Sequence, residues 1–383
     1  MLTSDQIGRG TYIDLPRLKQ TIDEGPYDAV IVVSPENVPY YSGFYNFDLR
    51  GIPERVHYVV WPRGGEPTFV VTSKRQQFLN PGETFITDVR PYQGEAPADS
   101  IGVVAEVLAE RGVSRGIIGY EGRAFPAGHL TELRRRLPDL RFEDAFAFLE
   151  SPRLIKTPGE VELIERLTRW TTEAIDTAFA AARPGDTERA VVARMQYELL
   201  TNGADMIAFP AFGAGRRTGY FHPLGTDQPI ESGMLLKTDF GGFRDGYYSD
   251  VARTVCLGRA SDRQKDTYAR LQEIKHRTVE YIKPGVLASE VTGYTRDLYR
   301  QHGLEFKWAI IGHGIGLGIH ESPQIYPWVH DLILPGMVMM IELGYTDYPH
   351  DSYHIEDLIV VTERGAEYRS DFSRHERLWE VGV

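Results

Sequence analysis

Residues Met234–Thr254 read MLLKTDFGGFRDGYYSDVART. An apolar run ends on Asp239, glycines follow, and the chain returns through two tyrosines to Asp250. Apolar runs separated by glycines are typical of two strands joined by a hairpin turn, which we expect over Gly241, Gly242 and Gly246. Carboxylates on neighbouring strands can point at one place, and hard oxygen donors of this kind bind metal ions. The segment therefore predicts a strand pair that carries a metal site.

A later part of the chain repeats this pattern. Asp239 and Glu342 each lie six residues after the glycine of a Gly-Met pair, and each ends an apolar run. Upstream of both, a Pro-Gly pair opens a helical pattern that a glycine closes 18 residues later: Pro184-Gly185 with Gly203, and Pro284-Gly285 with Gly303. We interpret the repeat as an internal duplication of a helix and a strand pair. Each copy would supply two carboxylates, Glu342 and Glu356 in the second.

Length and composition indicate an ordinary globular protein of two domains. A chain of 383 residues exceeds the roughly 250–300 residues at which a single hydrophobic core stops growing. The hydrophobic share of 42% and the charged share of 25% argue against large-scale disorder. The formal net charge of -12 and the lack of a basic patch argue against a nucleic-acid partner.

Cysteine usage and hydropathy bear on the location of the protein. The single cysteine, Cys256, excludes an intrachain disulfide and fits a reducing compartment. Residues 1–20 lack the basic-then-apolar pattern of a signal sequence, and no apolar run approaches the roughly 18 residues of a membrane span. We therefore expect a cytoplasmic protein with no membrane partner.

Strand and helix patterns alternate before residue 150. The helices are predicted at Leu15–Ile22, after a cap at Ser100, and at His129–Leu137. The strands are predicted at Asp28–Val33, Val56–Trp61, Thr68–Val71 and Gly116–Tyr120, and Pro62-Arg63-Gly64-Gly65 is predicted to join the second and third in a hairpin. Such alternation is typical of a mixed α/β domain.

A domain boundary is predicted near residues 153–158. The segment Thr157-Pro158-Gly159-Glu160 has the sequence of a capping box, with proline at the first helical position. Apolar residues then recur at helical spacing, so a long amphipathic helix opens the second domain. Ser261 to Gln264 repeats the capping pattern for a later helix. We expect an N-terminal α/β domain over residues 1–154 and a second domain over residues 155–383.

The remaining chemistry lies in Ile310–Pro323, which reads IIGHGIGLGIHESP. His313 follows an apolar run and is flanked by glycines, which let the backbone pass close to a ligand. His320 comes seven residues later. Neutral imidazole is a good ligand for Mn, Co or Zn, so this segment is a further candidate for metal binding.

Together these motifs resemble the pita-bread metallopeptidases, a family that includes aminopeptidase P, prolidase and methionine aminopeptidase. The resemblance covers all of residues 155–383 and, more weakly, residues 1–154, which look like the creatinase-like N-terminal domain of the aminopeptidase P and prolidase branch. It rests on five residues at family-like spacing: Asp239, Asp250, His313, Glu342 and Glu356. It implies an α/β chain, a duplicated pita-bread α+β domain with a curved antiparallel sheet, and a homodimer.

The resemblance also implies a site for two divalent metal ions. Asp250 and Glu356 would bridge the ions. Asp239 would complete the coordination of one ion, and His313 with Glu342 that of the other. Carboxylate-rich sites with one imidazole accept several divalent ions, so Mn, Co and Zn are all candidates.

Three residues receive catalytic roles from the resemblance. Glu342 would accept the proton of a metal-activated water and pass it to the leaving nitrogen. His222, in FHP, and His320, in HESP, would donate hydrogen bonds to the substrate carbonyl and to the developing oxyanion. The expected reaction is cleavage of the Xaa-Pro bond of short peptides, as an aminopeptidase or a dipeptidase.

One position departs from the family pattern and keeps other functions open. The aminopeptidase P and prolidase branch commonly has arginine two residues before the last glutamate, where this chain has His354. The alternative is a non-peptide reaction on a small metabolite or small-molecule amide, such as ectoine ring opening or a sulfoniopropionate lyase. A non-catalytic binding protein is the other alternative, although such relatives usually lose metal ligands and all five positions are filled here.

Several other residues allow two interpretations. A set of aromatic residues could line a proline-sized pocket or pack in the core: Phe212, Phe221, Trp308, Tyr326 and Trp328. His330, His350 and His354 are expected on loops or paired with carboxylates. Asp245 and Asp347 are expected at turns.

Overall fold

The computed structural model describes residues 12–308, 310–347 and 351–382. His350 lies outside the described residues. The chain divides into two compact units between Arg153 and Leu154. None of the described helices combines the length and the apolar character needed to cross a membrane.

The first unit is a mixed α/β domain. Its helices are α1 (Leu15–Glu24), α2 (Asn37–Ser42), α3 (Asp48–Gly51), α4 (Ser73–Gln77), α5 (Pro97–Glu110), α6 (Ala127–Arg136) and α7 (Phe146–Glu150). Its strands are β1 (Ala29–Val32), β2 (Tyr58–Pro62), β3 (Thr68–Thr72), β4 (Asp88–Tyr92), β5 (Gly116–Tyr120) and β6 (Leu140–Asp144). They form one sheet in the order β4-β3-β2-β1-β5-β6. The β1–β2 and β2–β3 pairs are antiparallel and the others parallel.

The predicted cap at Ser100 is wrong. Helix α5 begins three residues earlier, at Pro97, and Asp99 accepts a hydrogen bond from the backbone N–H of Ala96 at 3.1 Å. Proline suits the first helical position because its missing N–H would be unsatisfied there in any case. Ser100 is instead buried inside the helix, with its hydroxyl 3.0 Å from that of Tyr58.

The described residues of the second unit form two helical hairpins and two sheets. Its helices are α8 (Pro158–Ala181), α9 (Glu188–Asn202), α10 (Asp262–Tyr281) and α11 (Ala288–Gln301). Its strands are β7 (Met206–Ala214), β8 (Leu235–Arg244), β9 (Tyr247–Tyr248), β10 (Val251–Leu257), β11 (Gly312–Gly314), β12 (Glu321–Gln324), β13 (Val338–Asp347), β14 (Asp351–Thr362), β15 (Gly365–Tyr368) and β16 (Glu380–Val381). The sheet orders are β16-β10-β8-β7, with β9 beside β8, and β12-β11-β13-β14-β15.

Both predicted capping boxes start their helices. Thr157 accepts from the Glu160 N–H at 3.2 Å while the Glu160 carboxylate accepts from the Thr157 N–H at 2.8 Å, and α8 begins at the next residue. Ser261 and Gln264 form the same reciprocal pair before α10. Such pairs satisfy two of the backbone donors that a helix start leaves unbonded.

The internal duplication extends to individual hydrogen bonds. Gly185, before α9, donates its N–H to the carbonyl oxygen of Ile230 at 2.9 Å, and Gly285, before α11, donates to that of Ile333 at 2.9 Å. One core packs α8 and α9 against β7, β8 and β10, and a second packs α10 and α11 against β13 and β14. Each half therefore has its own core, as expected of a duplicated helix and strand unit.

The second carboxylate of each half occupies a different position, which corrects the simple repeat. Asp239 faces Ala252 across the β8–β10 pair, whereas Glu342 faces Glu356 across β13–β14. Asp250 comes two residues before Ala252, so it lies diagonally from Asp239 on the same face. The halves are equivalent in backbone but supply their carboxylates differently.

The predicted hairpin turn is confirmed at Gly246 and at Asp245, which was expected at a turn, but is wrong for Gly241 and Gly242. Strand β8 continues to Arg244, and the turn is made by Asp245, with a φ of 52°, and Gly246, with a φ of 88°. Gly241 is a strand residue, and a Cβ there would lie 2.0 Å from the carbonyl oxygen of Ser249. Asp347 is the last residue of β13 rather than a turn residue.

Candidate metal centre

The five predicted ligands come from five places in the second unit and meet at one point. Asp239 lies in β8, Asp250 just before β10, His313 in β11, Glu342 in β13 and Glu356 in β14. Strands β10 and β14 lie side by side, because Thr254 Oγ1 donates to the carbonyl oxygen of His354 at 3.0 Å and accepts from its N–H at 2.9 Å. This contact brings the carboxylates of the two halves together.

His313 lies among three of the carboxylates. Its Nε2 is 4.0 Å from Asp250 Oδ2, 3.8 Å from Glu342 Oε1 and 3.6 Å from Glu356 Oε1. Its Nδ1 lies 3.0 Å from the carbonyl oxygen of Gly314, to which it donates. That bond leaves the Nε2 lone pair directed at the carboxylates, the tautomer that a metal ligand needs.

Two sets of these residues have the spacing of a metal site. Ligand atoms of His313, Glu342 and Glu356 lie within 4.8 Å of one another, and so do those of Asp239, Asp250 and Glu356. Glu356 belongs to both sets. A third set joins Asp250 and His313 to His320. Two adjacent cation positions that share a carboxylate therefore fit the side chains.

The electrostatics of the buried carboxylates also fit bound cations. Asp250 Oδ1 and Glu356 Oε2 are buried without a hydrogen-bond partner in the described part of the chain. Burial, and after it the neighbouring carboxylates, hold the pKa of Asp250 and of Glu356 well above the usual range. Burial also raises the pKa of Glu342. Buried negative charges are stabilised by pairing with positive charge or by coordinating metal ions.

His354 contacts the site directly. Its Nε2 lies 3.0 Å from Glu342 Oε2, within hydrogen-bond distance, and its Nδ1 lies 3.7 Å from Asp239 Oδ2. Burial lowers the pKa of His354 to about 4, so the imidazole is neutral near pH 7. The Trp308 ring packs on it, with ring centroids 4.6 Å apart. The expected pairing of this histidine with a carboxylate is thus present.

The two predicted catalytic histidines lie beside the ligands. His222 Nε2 is 3.5 Å from Asp239 Oδ2, and the His222 backbone has a φ of 46°, in the sparsely populated left-handed region. The rings of His320 and His313 are 4.1 Å apart. Burial, followed by the charges of His313 and His222, lowers the pKa of His320 to about 4. His320 is therefore neutral near pH 7 and can donate a hydrogen bond to substrate.

A buried ion pair fixes the segment that carries His320. Lys156 Nζ lies 2.6 Å from Glu321 Oε2, and both side chains are 1% exposed. The other oxygen of Glu321 accepts from the Gly318 N–H at 2.8 Å. Because Glu321 follows His320 directly, these bonds restrain the position of its imidazole.

The metal cluster forms part of the wall of a cavity of about 620 Å³. Four of the five predicted aromatic residues line it: Phe212, Phe221, Trp308 and Tyr326. Trp328 does not, being 64% exposed and stacked on Tyr326 with ring centroids 4.8 Å apart. His330 is also absent from the lining, and its Nδ1 lies 3.1 Å from the Ser289 hydroxyl.

Sequence reasoning missed several residues of this cavity, notably Phe209, Tyr248 and Lys237. Lys237 is only 7% exposed, and burial lowers its pKa to about 8. A pattern could have identified it, because Lys237 lies two residues before Asp239 on a predicted strand. Alternate residues of a strand share one face, so Lys237 had to face the metal ligands.

Comparison with known proteins gives a family match for each part of the chain. Residues 162–363 match metallopeptidase family M24, and residues 15–155 match the creatinase/prolidase N-terminal domain. The Xaa-Pro dipeptidase of Pyrococcus furiosus is 28% identical over 92% of this chain and 96% of its own length.

Solved structures agree with this match. The dipeptidase PepE from Mycobacterium ulcerans superposes with a TM-score of 0.84 and 27% identity, over 96% of this chain and 98% of that one. The prolidase from Pyrococcus horikoshii superposes with a TM-score of 0.81 and 26% identity, over 93% and 97%. The chain belongs to metallopeptidase family M24, with a creatinase/prolidase N-terminal domain before a pita-bread domain.

Proposed function

We propose that this protein is a dinuclear-metal peptidase that cleaves the Xaa-Pro bond of short peptides, with residues 155–383 as its catalytic domain. The observation that carries the proposal is the convergence of four carboxylates and one imidazole in the wall of a single aromatic-lined cavity. Relatives named Xaa-Pro dipeptidase and prolidase support the choice of substrate.

The proposed ligand assignment is supported by the two sets of converging atoms, which share Glu356. Asp250 and Glu356 would hold both ions, Asp239 would complete one site, and His313 with Glu342 would complete the other. The ions, when bound, supply Lewis acidity that lowers the pKa of a shared water and polarises the scissile carbonyl. Mn, Co and Zn all suit this donor set. A homodimer and a cytoplasmic location are part of the same proposal.

The chain's own residues would move the proton and stabilise the developing charge. Glu342 lines the cavity beside His313 and His354, where its carboxylate would take a proton from the attacking water and pass it to the proline nitrogen. His222 and His320 line the cavity beside the ligands, where they would donate hydrogen bonds to the carbonyl oxygen as it becomes an oxyanion. The aromatic walls suit the apolar proline ring.

Peptide hydrolysis with added metal tests the proposal. Purified protein would be stripped of metal, reloaded with Mn, Co or Zn, and assayed on Leu-Pro, Leu-Pro-Gly and the non-proline control Leu-Ala. We expect about two ions per chain and cleavage of proline peptides. Glu342→Gln should reduce kcat by about 10²- to 10⁴-fold, since it removes the proton acceptor and the charge of a proposed metal ligand. Absence of proline-peptide cleavage with every metal would contradict the proposal.

The alternatives are less well supported. His354 leaves room for a non-peptide C–N hydrolase or lyase, but the relatives compared are named as dipeptidases and prolidases. A panel of small-molecule amides in the same assay would detect such an activity. A purely binding protein would not need five convergent ligands, and a metal content below one ion per chain after reconstitution would favour it.

A further inference from the structure

We propose that Lys237 binds the free C-terminal carboxylate of the substrate, which would make this site selective for dipeptides. The proposal rests on the proposed peptidase function and adds to it a substrate class and the residue that recognises it.

Lys237 is a buried cation with little compensation from the protein. Its side chain is 7% exposed and lines the cavity. Within the described residues, its Nζ makes one hydrogen bond, a long one of 3.4 Å to the carbonyl oxygen of Tyr220, and no carboxylate lies within 4.0 Å of it. A buried charge is costly unless it is paired, so an ammonium in this position favours an anionic partner.

The nearest carboxylate is committed elsewhere. Asp239 lies two residues from Lys237, but its Oδ2 faces His222 at 3.5 Å and His354 at 3.7 Å, and it is one of the proposed metal ligands. Two divalent ions would offset the charges of the four carboxylates in the cluster. Asp239 would then no longer compensate the charge of Lys237.

The other lysine of the cavity, Lys307, differs from Lys237 both in its exposure and in having a carboxylate partner. Lys307 lies in the lining, but its side chain is 56% exposed and its Nζ pairs with Glu305 at 2.8 Å. No arginine belongs to the lining formed by the described residues. Lys237 is therefore the buried cation available to a substrate, and Lys307 provides a matched control.

The spacing suits a dipeptide. The carboxyl carbon of Xaa-Pro is three bonds from the scissile carbonyl carbon, at most about 4.3 Å by the sum of bond lengths. Lys237 and Asp239 are alternate residues of β8, about 6.6 Å apart along the strand. Both side chains lie on one face of β8 and line the same cavity, so the proposal places the proline carboxylate, which stays within one residue's length of the scissile carbonyl, beside the Lys237 ammonium. Each further residue moves the carboxylate about 3.5 Å along an extended chain.

Comparison of Leu-Pro with its amide, Leu-Pro-NH₂, isolates this contact, because the two differ only in the terminal charge. The wild-type enzyme should favour the acid in kcat/KM by about 10- to 100-fold, the size expected of a hydrogen bond to a charged group. Lys237→Met keeps the length of the side chain and should remove this preference through KM of the acid, while the amide changes by less than about threefold. Lys237→Arg should retain part of the preference.

Three outcomes would overturn the assignment. One is a wild-type enzyme with equal kcat/KM for acid and amide, a result that requires no variant to fold. Another is an unchanged preference in Lys237→Met. The third is an equal loss in Lys307→Met, which would point to a general effect of charge in the cavity. Thermal melting would check that each variant is folded.

A binding measurement separates failure of this proposal from failure of the peptidase function. If neither peptide is cleaved with any metal, the peptidase function fails, and calorimetry with L-proline and L-prolinamide on the metal-loaded protein then tests the carboxylate contact alone. Tighter binding of proline that Lys237→Met abolishes supports the assignment. Equal binding of the two ligands overturns it.

Discussion

His354 links the two halves of the second unit at the level of a single side chain. Its imidazole lies beside Glu342, which belongs to the second half, and beside Asp239, which belongs to the first half. His354 comes two residues before Glu356, the strand partner of Glu342, just as Asp250 comes two residues before Ala252, the strand partner of Asp239 in the first half. A Cβ at Gly344 would lie 1.9 Å from the Trp308 ring, the same ring that packs on His354. His354 thus occupies in the second half the position that the metal ligand Asp250 occupies in the first half, and it supports the ligand Glu342.

Removal of this support should weaken metal binding. His354→Ala leaves the Glu342 oxygen without its hydrogen-bond partner, so we expect divalent-ion affinity to fall by about 10- to 100-fold, as for other residues that orient metal ligands. Isothermal titration of the metal-free protein with Mn measures the change. The exposed His330, replaced by alanine in the same way, should leave the affinity unaltered. Equal affinities for His354→Ala and wild type would contradict the supporting role.

His57 in the first unit is expected to make stability depend on pH. It is 1% exposed between Phe44 and Phe69, with its Nδ1 2.9 Å from the Arg55 carbonyl oxygen. Burial, the largest cause, lowers its pKa to about 4. The unfolded chain, with the ordinary value of 6.5, therefore binds more protons between these two values. Its stabilising contribution is complete above pH 6.5 and is lost as the pH falls towards 4.

The expected loss is up to about 3 kcal/mol, from about 1.4 kcal/mol per pH unit over this interval. Urea unfolding of the wild type and of His57→Gln at pH 7, 6, 5 and 4 measures it. The variant should lose less stability on acidification than the wild type, whatever its stability at pH 7. Parallel curves for the two proteins would show that His57 is not responsible.

At the scale of elements, the β8–β10 hairpin sets where Asp250 lies. Its strands approach so closely at Gly241 that a Cβ would meet the Ser249 carbonyl oxygen at 2.0 Å. Asp250 follows Ser249 directly, so any displacement of that carbonyl moves the carboxylate. A glycine is therefore required at position 241, because a residue with a Cβ would not let the two backbones come this close just before Asp250.

Gly241→Ala should consequently destabilise the protein by about 3 kcal/mol or more and reduce the number of bound ions. Gly293→Ala is a suitable control, because Gly293 lies inside α11 and a Cβ added there would meet nothing within 4 Å among the described residues. That change should stabilise by about 0.5–1 kcal/mol through helix propensity. Urea unfolding and metal analysis of both variants measure the difference, and similar stabilities would refute the close approach.

Sequence reasoning succeeded where a residue type has a local physical cause. The capping boxes at Thr157 and Ser261 start helices because their bonds lie within one turn, and the hairpin of β2 and β3 follows from two apolar runs around Gly64. It failed where a distant contact decides. The sequence pattern places Gly241 in the turn. The structure shows that a glycine is needed there because the Ser249 carbonyl lies against it from the neighbouring segment of the sheet.

In the candidate site, too, some features could be predicted from local sequence and others depend on distant contacts. The ligand residues were predictable because carboxylates and imidazole in a repeated context indicate metal binding. The diagonal position of Asp250, and the contact of His354 with Glu342, depend on strand register and on the packing of β10 beside β14. Neither can be derived from spacing along the chain alone.

At the scale of the whole molecule, the ligands come from both halves of the second unit, so a bound ion holds the halves together. Asp239 and Glu356 lie on strands of different sheets, and each half has its own hydrophobic core. The unfolded chain cannot present them at one point. Ions that bind only the folded protein stabilise it by mass action, by about 2.7 kcal/mol at a concentration 100 times Kd.

Chelation should therefore lower Tm by several degrees, and added Mn should restore it. Asp250→Asn provides the contrast. It removes a buried carboxylate whose charge other carboxylates disfavour, so the metal-free variant should melt no lower than metal-free wild type, yet added Mn should raise its Tm far less. Differential scanning calorimetry of both proteins with EDTA and with Mn measures the four values. If Mn raised both melting temperatures equally, Asp250 could not be a ligand, because loss of its carboxylate would then have left metal binding to the folded protein unchanged.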